Sequence, residues 1–440
     1  MDTSSSESVR RIGGGAGFAG DRIDPAVALA GSDAIDAVVL ECLAERTLVP
    51  GLRARRQNPD AGSDPRLRRR LLPLLPAAHK TGCRIISNLG AANPAAAARQ
   101  IARLADEVGA PGMRVAGVVG DDVVRHADAI AWEEPIQGTL LGAHAYLGTE
   151  GLIAAISEGA DVVVTGRVAD SALFAAELMP FLDGTDDAFA NAVMIGHLLE
   201  CSGQVTGGNF EAPGGGSLDG ASYARLGYPI ARVERDGSAV IHILDGAPGR
   251  VDRLTCTLQL LYEIHDPSAY ITPDAIVDFS KVRIEELGNN RVRVSGARKV
   301  GRPEKLKVSG FVERPGTHAD VEMSYAGTGA LTRARHAAEA LRIRLEYFAE
   351  DAIRIDIVGV DSVLSGASLP SNASPPEVRI HVSAFCRDEE EAQSIEDEMY
   401  TLSICGPAGG GSMRSERRPR VTVIDGLIDR SLVETTVVWG

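Results

Sequence analysis

The residues best able to do chemistry in this chain stand in short glycine-rich segments, each of which follows an apolar run. In GADVVVTGRVADSALF, Arg167 comes directly after DVVVT, where a guanidinium can clamp a carboxylate or a phosphate through two parallel hydrogen bonds. Asp170 and Ser171 stand where the next helix would open, so they either cap that helix or face the same ligand. In GHLLECSGQVTGGNF, His197, Glu200 and Cys201 share one helix, with His197 and Cys201 four residues apart on one face. The chain then bends at Gly207, Gly208 and Asn209, and a glutamate beside such a bend suits proton abstraction next to a carbonyl. The plainer reading makes His197 and Cys201 core residues and Glu200 a helix end. Cys201 has no activating partner except His197, which argues against a thiol nucleophile.

Four more segments belong with these two. Gly13 to Arg22 (GGGAGFAGDR) contains GxGxxG at Gly15, Gly17 and Gly20, and Glu41 falls roughly 20 residues later, the layout of a dinucleotide fingerprint. Pro25 argues against a helix starting directly behind that loop, so turns around some other ligand are the alternative use of these glycines. NLG brings Asn88, and GDD brings Asp121 and Asp122. Near the C-terminus GPAGGGSMR joins Gly409 and Gly410 to Arg414, backbone amides and a cation that could cradle an anion. The expected catalytic set is Glu200, Asp170 and Arg167. The expected substrate contacts are Gly14, Gly15, Gly17, Asp21, Arg22, Asn88, Ser171, Asn209, Gly409 and Gly410. HExxH, paired CxxC, GxSxG and the P-loop pattern are absent, so no metal, hydrolase elbow or ATPase site is expected.

The elements that must position these residues alternate. Apolar runs at Asp36 to Glu41, Cys83 to Ser87, Met113 to Val119 and Asp161 to Thr165 read as strands buried on both faces. Helical stretches separate them at Asp24 to Ala30, Asp64 to Thr81 (broken by Pro73 and Pro76), Ala95 to Val108 and Thr149 to Gly159. Each return through a helix implies parallel pairing. This predicts a doubly wound, mostly parallel, Rossmann-like domain over residues 1–270, with ligands at the carboxyl ends of the strands. From about Ile276 polar and apolar residues alternate (RVRVSG, ADVEMSYAG, VRIHVSAF), which predicts an α+β domain of antiparallel strands over 271–440.

Bulk composition narrows the partners. A net charge of −15 opposes binding to nucleic acid and to anionic membrane, and no run of about 18 apolar residues is present, so neither is an expected partner. The basic stretch Arg53, Arg55, Arg56, Arg66, Arg68, Arg69 and Arg70 is either a solvated helix face or a site for a phosphate-bearing ligand such as coenzyme A. Six scattered cysteines and a polar N-terminus fit a reduced, cytoplasmic protein, and a homo-oligomer is expected on general grounds.

RIGGGAGFAGDR, ECLAERTL (Glu41 to Leu48), GADVVVTGRVADSALF, GHLLECSGQVTGGNF and CGPAGGG together resemble the acyclic terpene utilisation (AtuA-like) family over nearly the whole chain. The resemblance implies work on a branched carboxylic acid or its acyl-CoA thioester, and a lyase or hydratase is the reading that suits Glu200, Asp170 and Arg167. It names no cofactor; the coenzyme A thioester enters only as substrate. Some members carry a further small C-terminal domain, so a small partner subunit supplying that part is also expected. The alternatives are an NAD(P)-dependent oxidoreductase and a non-catalytic acyl-CoA-binding subunit of a multi-protein enzyme.

Overall fold

A computed structural model describes residues 8–213, 215–364 and 374–440. In chain order the elements begin β1 (Val9–Ala16), α1 (Asp24–Ala30), β2 (Ala37–Leu40), α2 (Glu45–Gln57), α3 (Leu67–Thr81), β3 (Arg84–Ser87), α4 (Pro94–Glu107), β4 (Val115–Val119), β5 (Ala131–Trp132) and β6 (Thr139–Ala145). They continue with α5 (Glu150–Ser157), β7 (Val162–Thr165), α6 (Asp170–Leu178), α7 (Asp186–Glu200), α8 (Gly220–Ala224), β8 (Ile230–Glu234), β9 (Ala239–His242), α9 (Arg253–Leu261), β10 (Tyr270–Ile271) and β11 (Ile276–Asp278). The last are β12 (Arg283–Gly288), β13 (Arg291–Ser295), β14 (Arg298–Gly301), β15 (Lys305–Ala326), α10 (Ala330–Arg344), β16 (Ile353–Val358), β17 (Glu377–Cys386), α11 (Glu389–Cys405), β18 (Gly410–Asp429) and β19 (Thr436–Trp439).

Two compact units emerge. The larger takes residues up to 135, 141–310 and 423–440; the smaller takes 136–140 and 311–422. The larger unit is built on a ten-stranded sheet of order β12-β13-β9-β8-β1-β2-β3-β7-β4-β19. Five strands at its centre, β1, β2, β3, β7 and β4, run parallel to one another. The other five join antiparallel, four beyond β1 and β19 beside β4. The protein is therefore mixed α/β, and its main sheet is half parallel rather than mostly parallel. The physical reason lies in the hairpins β8–β9 and β12–β13, whose strands return through tight turns instead of helices and so can only pair antiparallel.

The boundary near 270 also shifts. β12 and β13 carry the alternating pattern of a separate antiparallel domain, yet Val292 and Val294 pair with β9 and bury themselves in the larger unit's core. Alternate side chains of the central strands point to opposite faces. Ala37, Val39, Ile86 and Val163 share a core with residues of α6 and α7, whereas Val38, Leu40, Ile85 and Val164 share one with α1, α3 and α4. That two-sided burial is what the continuous apolar runs require. In the smaller unit, β17 pairs antiparallel with β15 and β16, and α10 and α11 cover the face that carries Val321, Tyr325, Ile380 and Val382.

Candidate functional site

The carboxyl ends of the parallel strands hold the polar residues that the core excludes. Glu41 follows β2, Ser87 and Asn88 end and follow β3, Asp121 follows β4, and Arg167 follows β7; all are under 10% exposed. Buried groups of this kind are costly unless bonded, and most of their bonds can be traced. Glu41 Oε1 accepts from Leu43 N at 2.9 Å and from Asn88 Nδ2 at 2.9 Å, while Asn88 Oδ1 accepts from Cys42 N at 2.6 Å. Asp121 Oδ2 accepts from Arg167 N at 2.8 Å and lies 2.8 Å from His144 Nδ1. A Cβ at Gly166 would fall 2.4 Å from the same oxygen, so the glycine lets Asp121 approach the strand end.

Arg167 is spent inside the protein. Its guanidinium donates to Leu43 O, to Tyr146 Oη and to Glu45 Oε1 (3.0 Å), and it stacks 4.2 Å above the Tyr146 ring. Burial opposes its charge, but Asp170, Tyr146 and Glu45 hold it firmly cationic. It positions Tyr146 and Glu45 and sets the local field; it is not a free clamp for a substrate carboxylate.

Helices α6 and α7 cross in close contact where a Cβ on Gly196 would sit 2.3 Å from Ser171 O. Glu200 lies one turn beyond Gly196, and Asp170 precedes Ser171, so the crossing brings these two acids to one place. After Glu200 the chain turns sharply through buried Ser202, whose φ of 40° is a strained value for a residue with a side chain. Gly17 packs on that turn: its Cβ would lie 2.5 Å from the carbonyl carbon of Cys201.

The result is a cluster of four acids, Glu41, Glu45, Asp170 and Glu200, around the Arg167 cation. Burial, with the charge of Glu200 adding to it, pushes Glu41 up to about 7. Asp170 is pushed well above the usual carboxylate range by burial and by Glu41, against the pull of Arg167. Asp170 Oδ1 and Glu200 Oε2 are buried and have no hydrogen-bond partner among the described residues, while Glu200 Oε1 lies 2.8 Å from His197 Nδ1. Although burial opposes it, the charge of Glu200 keeps the His197 imidazole above its ordinary value. Like charges that cannot all ionise in one dry place leave a proton stored there at neutral pH.

A cleft opens onto this cluster. Its volume is about 180 Å³, with Asp170, Tyr146 and Tyr270 in its wall, Ile271 and Leu306 as apolar lining, and Lys305 and Lys307 at its side. Tyr146 N donates to Lys307 O at 2.9 Å, and the Lys307 ammonium sits 5.5 Å from the Tyr146 ring. The Tyr270 ring lies tilted against His197, with 4.9 Å between ring centres. Apolar walls, the Lys305 ammonium and one protonatable carboxyl suit a small organic anion, and Lys307 is paired with Asp425 at 2.9 Å.

A family model described as Acyclic terpene utilisation family protein AtuA matches residues 10–439. The chain belongs to this family. No curated protein and no solved structure matches it. Membership in the acyclic terpene utilisation family suggests a role in the use of acyclic terpenes and leaves the reaction open.

The expected site residues divide into three groups. Glu200, Asp170, Arg167, Asn88 and Ser171 come together at the cluster. Gly14, Gly15 and Gly17 do not form an open loop: β1 runs through Ala16, and Cβ atoms on these glycines would strike Leu199 O, Val38 and Cys201, so they make room for protein. Asp21 is taken up by Gly17 N at 2.8 Å, Arg22 N at 2.7 Å and Tyr228 Oη, and Arg22 pairs with Asp24. Asn209 stands apart from the cluster, its Nδ2 turned to Gln204 Oε1 at 3.5 Å, and Gly409 and Gly410 fall in the smaller unit. Cys201 has its thiol pushed up by burial, first of all, and then by Glu200. Among the described residues no group of three or more His, Cys, Asp or Glu is placed to hold a metal ion, and no helix is long and apolar enough to cross a membrane.

Sequence reasoning missed Tyr146, Tyr270, Lys305 and Lys307, and gave Glu41 a ribose-binding role. The available signal was weak: TPDAI and RPEKLKV carry turn residues and lysines beside strands, but only tertiary structure lays them against Asp170.

Proposed function

We propose that this member of the acyclic terpene utilisation family is an acid–base enzyme, a lyase or hydratase acting on a branched carboxylic acid or its acyl-CoA thioester. The observation that carries the reading is Asp170: a carboxyl pushed well above the usual carboxylate range by burial and by neighbouring acids, its buried Oδ1 without a hydrogen-bond partner among the described residues, in the wall of an amphipathic cleft. Lys305 supplies positive charge for the carboxylate or the polarised thioester carbonyl, beside Lys307, whose ammonium is paired with Asp425 at 2.9 Å, and the apolar wall takes the branched chain. In the direction of water loss, a base takes the proton from the carbon next to the carbonyl. Asp170 gives its own proton to the departing hydroxyl, the carbon–oxygen bond breaks, and water leaves. Glu200, with Oε2 free and Oε1 steadied by His197, is the base of choice, and proton return to Asp170 closes the cycle. Arg167 acts through Tyr146 and Glu45 as a positioning residue.

The test is a melting-temperature panel of branched free acids, their coenzyme A thioesters, NAD and NADP on wild type and on Lys305→Ala/Lys307→Ala. A ligand that binds only the folded chain must raise the midpoint. Acids or thioesters should do so in wild type and lose the effect in the variant; a response to nicotinamide nucleotides alone would discard the proposal.

A further inference from the structure

The helix α3 begins against the usual electrostatic rule. A helix N-terminus carries partial positive charge and favours acids in its first turn. Here the first turn of α3 holds no acidic residue; Arg66 is the N-cap, and Arg68, Arg69 and Arg70 follow. Arg68 is paired with Glu107 at 2.8 Å, but among the described residues no carboxylate forms an ion pair with Arg66, Arg69 or Arg70.

Arg70 makes the arrangement harder to read as mere surface. It is 2% exposed, and its guanidinium donates only to carbonyls, those of Ala19 at 2.8 Å and Asp21 at 2.9 Å being the firmest. Its buried Nε has no partner. A buried guanidinium satisfied by carbonyls and held in no ion pair among the described residues is costly. Of the nearby acids, Asp64 gives Oδ1 to Arg66 N at 2.6 Å and attracts the charges of Arg66 and Arg70 without an ion pair, Asp21 is committed to the loop after β1, and Asp24 is paired with Arg22. All four arginines, Arg22, Arg66, Arg69 and Arg70, line one cavity of about 480 Å³, together with Asp21 and Asp24.

We propose that this cavity is an anion site for the phosphate groups of a phosphorylated ligand. Two guanidiniums outside any ion pair among the described residues, Arg66 and Arg69, and the buried Arg70 behind them line it, and guanidinium forks match phosphate oxygens in pairs. The cavity is distinct from the cleft at Asp170 and does not depend on the reaction proposed there. The phosphate could belong to the nucleotide end of a thioester substrate or to a separate phosphorylated molecule.

The experiment is calorimetric titration of the full chain with inorganic pyrophosphate, adenosine 3′,5′-bisphosphate and coenzyme A, at low and at raised salt. At least one probe should bind, more weakly in salt. Arg66→Ala/Arg69→Ala should weaken that binding about tenfold or more, while its melting temperature without ligand does not fall, because removing like charges from a helix N-terminus relieves repulsion. Lys305→Ala/Lys307→Ala should leave the affinity for pyrophosphate unchanged, which separates this site from the cleft. Coenzyme A binding tightest would assign the site to a thioester's nucleotide end; pyrophosphate binding as tightly would assign it to a separate ligand. Absence of binding by all three probes at low salt, or equal binding by wild type and the arginine variant, would overturn the proposal.

Discussion

Replacing Glu41 by glutamine should make the protein more stable and less active, and the gain in stability should depend on pH. The folded chain holds the Glu41 carboxyl at about 7 instead of 4.5, chiefly because burial penalises its charge. Between those two values the folded state keeps a proton that the unfolded chain has released, so stability falls as the pH rises through this window. The full penalty, reached above about pH 7, is about 3 kcal/mol at 1.36 kcal/mol per unit. Glutamine keeps the oxygen that accepts from Leu43 N and Asn88 Nδ2 and removes the charge. Urea unfolding of wild type and Glu41→Gln at about pH 5 and about pH 8 measures this directly. The two should be nearly equal at the lower pH, and the variant should be more stable by up to about 3 kcal/mol at the higher. A pH-independent difference, or a variant less stable at the higher pH, would refute the picture of crowded acids storing a proton beside Asp170.

Other outcomes follow from the same geometry. Arg167→Lys should cost roughly 2–4 kcal/mol of stability, since a single ammonium cannot replace a buried fork that bonds Leu43, Glu45 and Tyr146 together; thermal unfolding reads this. Glu177→Gln should cost roughly 3–5 kcal/mol by the same measurement, because a buried carboxylate that pairs both Arg10 and Arg84 would lose its charge and leave them uncompensated. Lys305→Ala should raise KM about tenfold with kcat little changed, as expected for a group that holds the substrate anion in ground and transition state alike. Cys201→Ala should leave turnover unchanged, since burial keeps that thiol protonated and unfit as a nucleophile.

Much of the parallel centre was legible in the sequence because each of its strands is a continuous apolar run with polar punctuation at the carboxyl end. In β2 both faces are buried, so every position must be apolar: Ala37 and Val39 serve one core and Val38 and Leu40 the other. That Arg167, Asp170 and Glu200 come together was legible for a related reason, since charged residues that open or close apolar elements collect where those elements end. Several features were not legible. The antiparallel flank escaped because β12 and β13 alternate like any half-exposed hairpin, and no local pattern says which sheet they extend. GxGxxG looked like a phosphate loop because glycine serves close packing and ligand approach equally well; what decides is the backbone of Cys201 lying against Gly17. Pro73 and Pro76 imply a break, yet α3 runs unbroken from Leu67 to Thr81. Tyr146 and Tyr270, far apart in the chain, meet at Asp170 only through tertiary packing.

The most direct test of the account is turnover by Asp170→Asn. Wild type, given a branched enoyl-coenzyme A thioester in deuterated water, should add water across the double bond to give the hydroxyacyl thioester and place deuterium next to the carbonyl, both read by NMR. Asparagine in place of Asp170 can still hydrogen-bond but cannot give a proton, so the rate should fall about 10²–10⁴-fold while the ligand-induced rise in melting temperature survives. A variant that turns over the substrate as fast as wild type would contradict the assignment of Asp170 as the acid of this site.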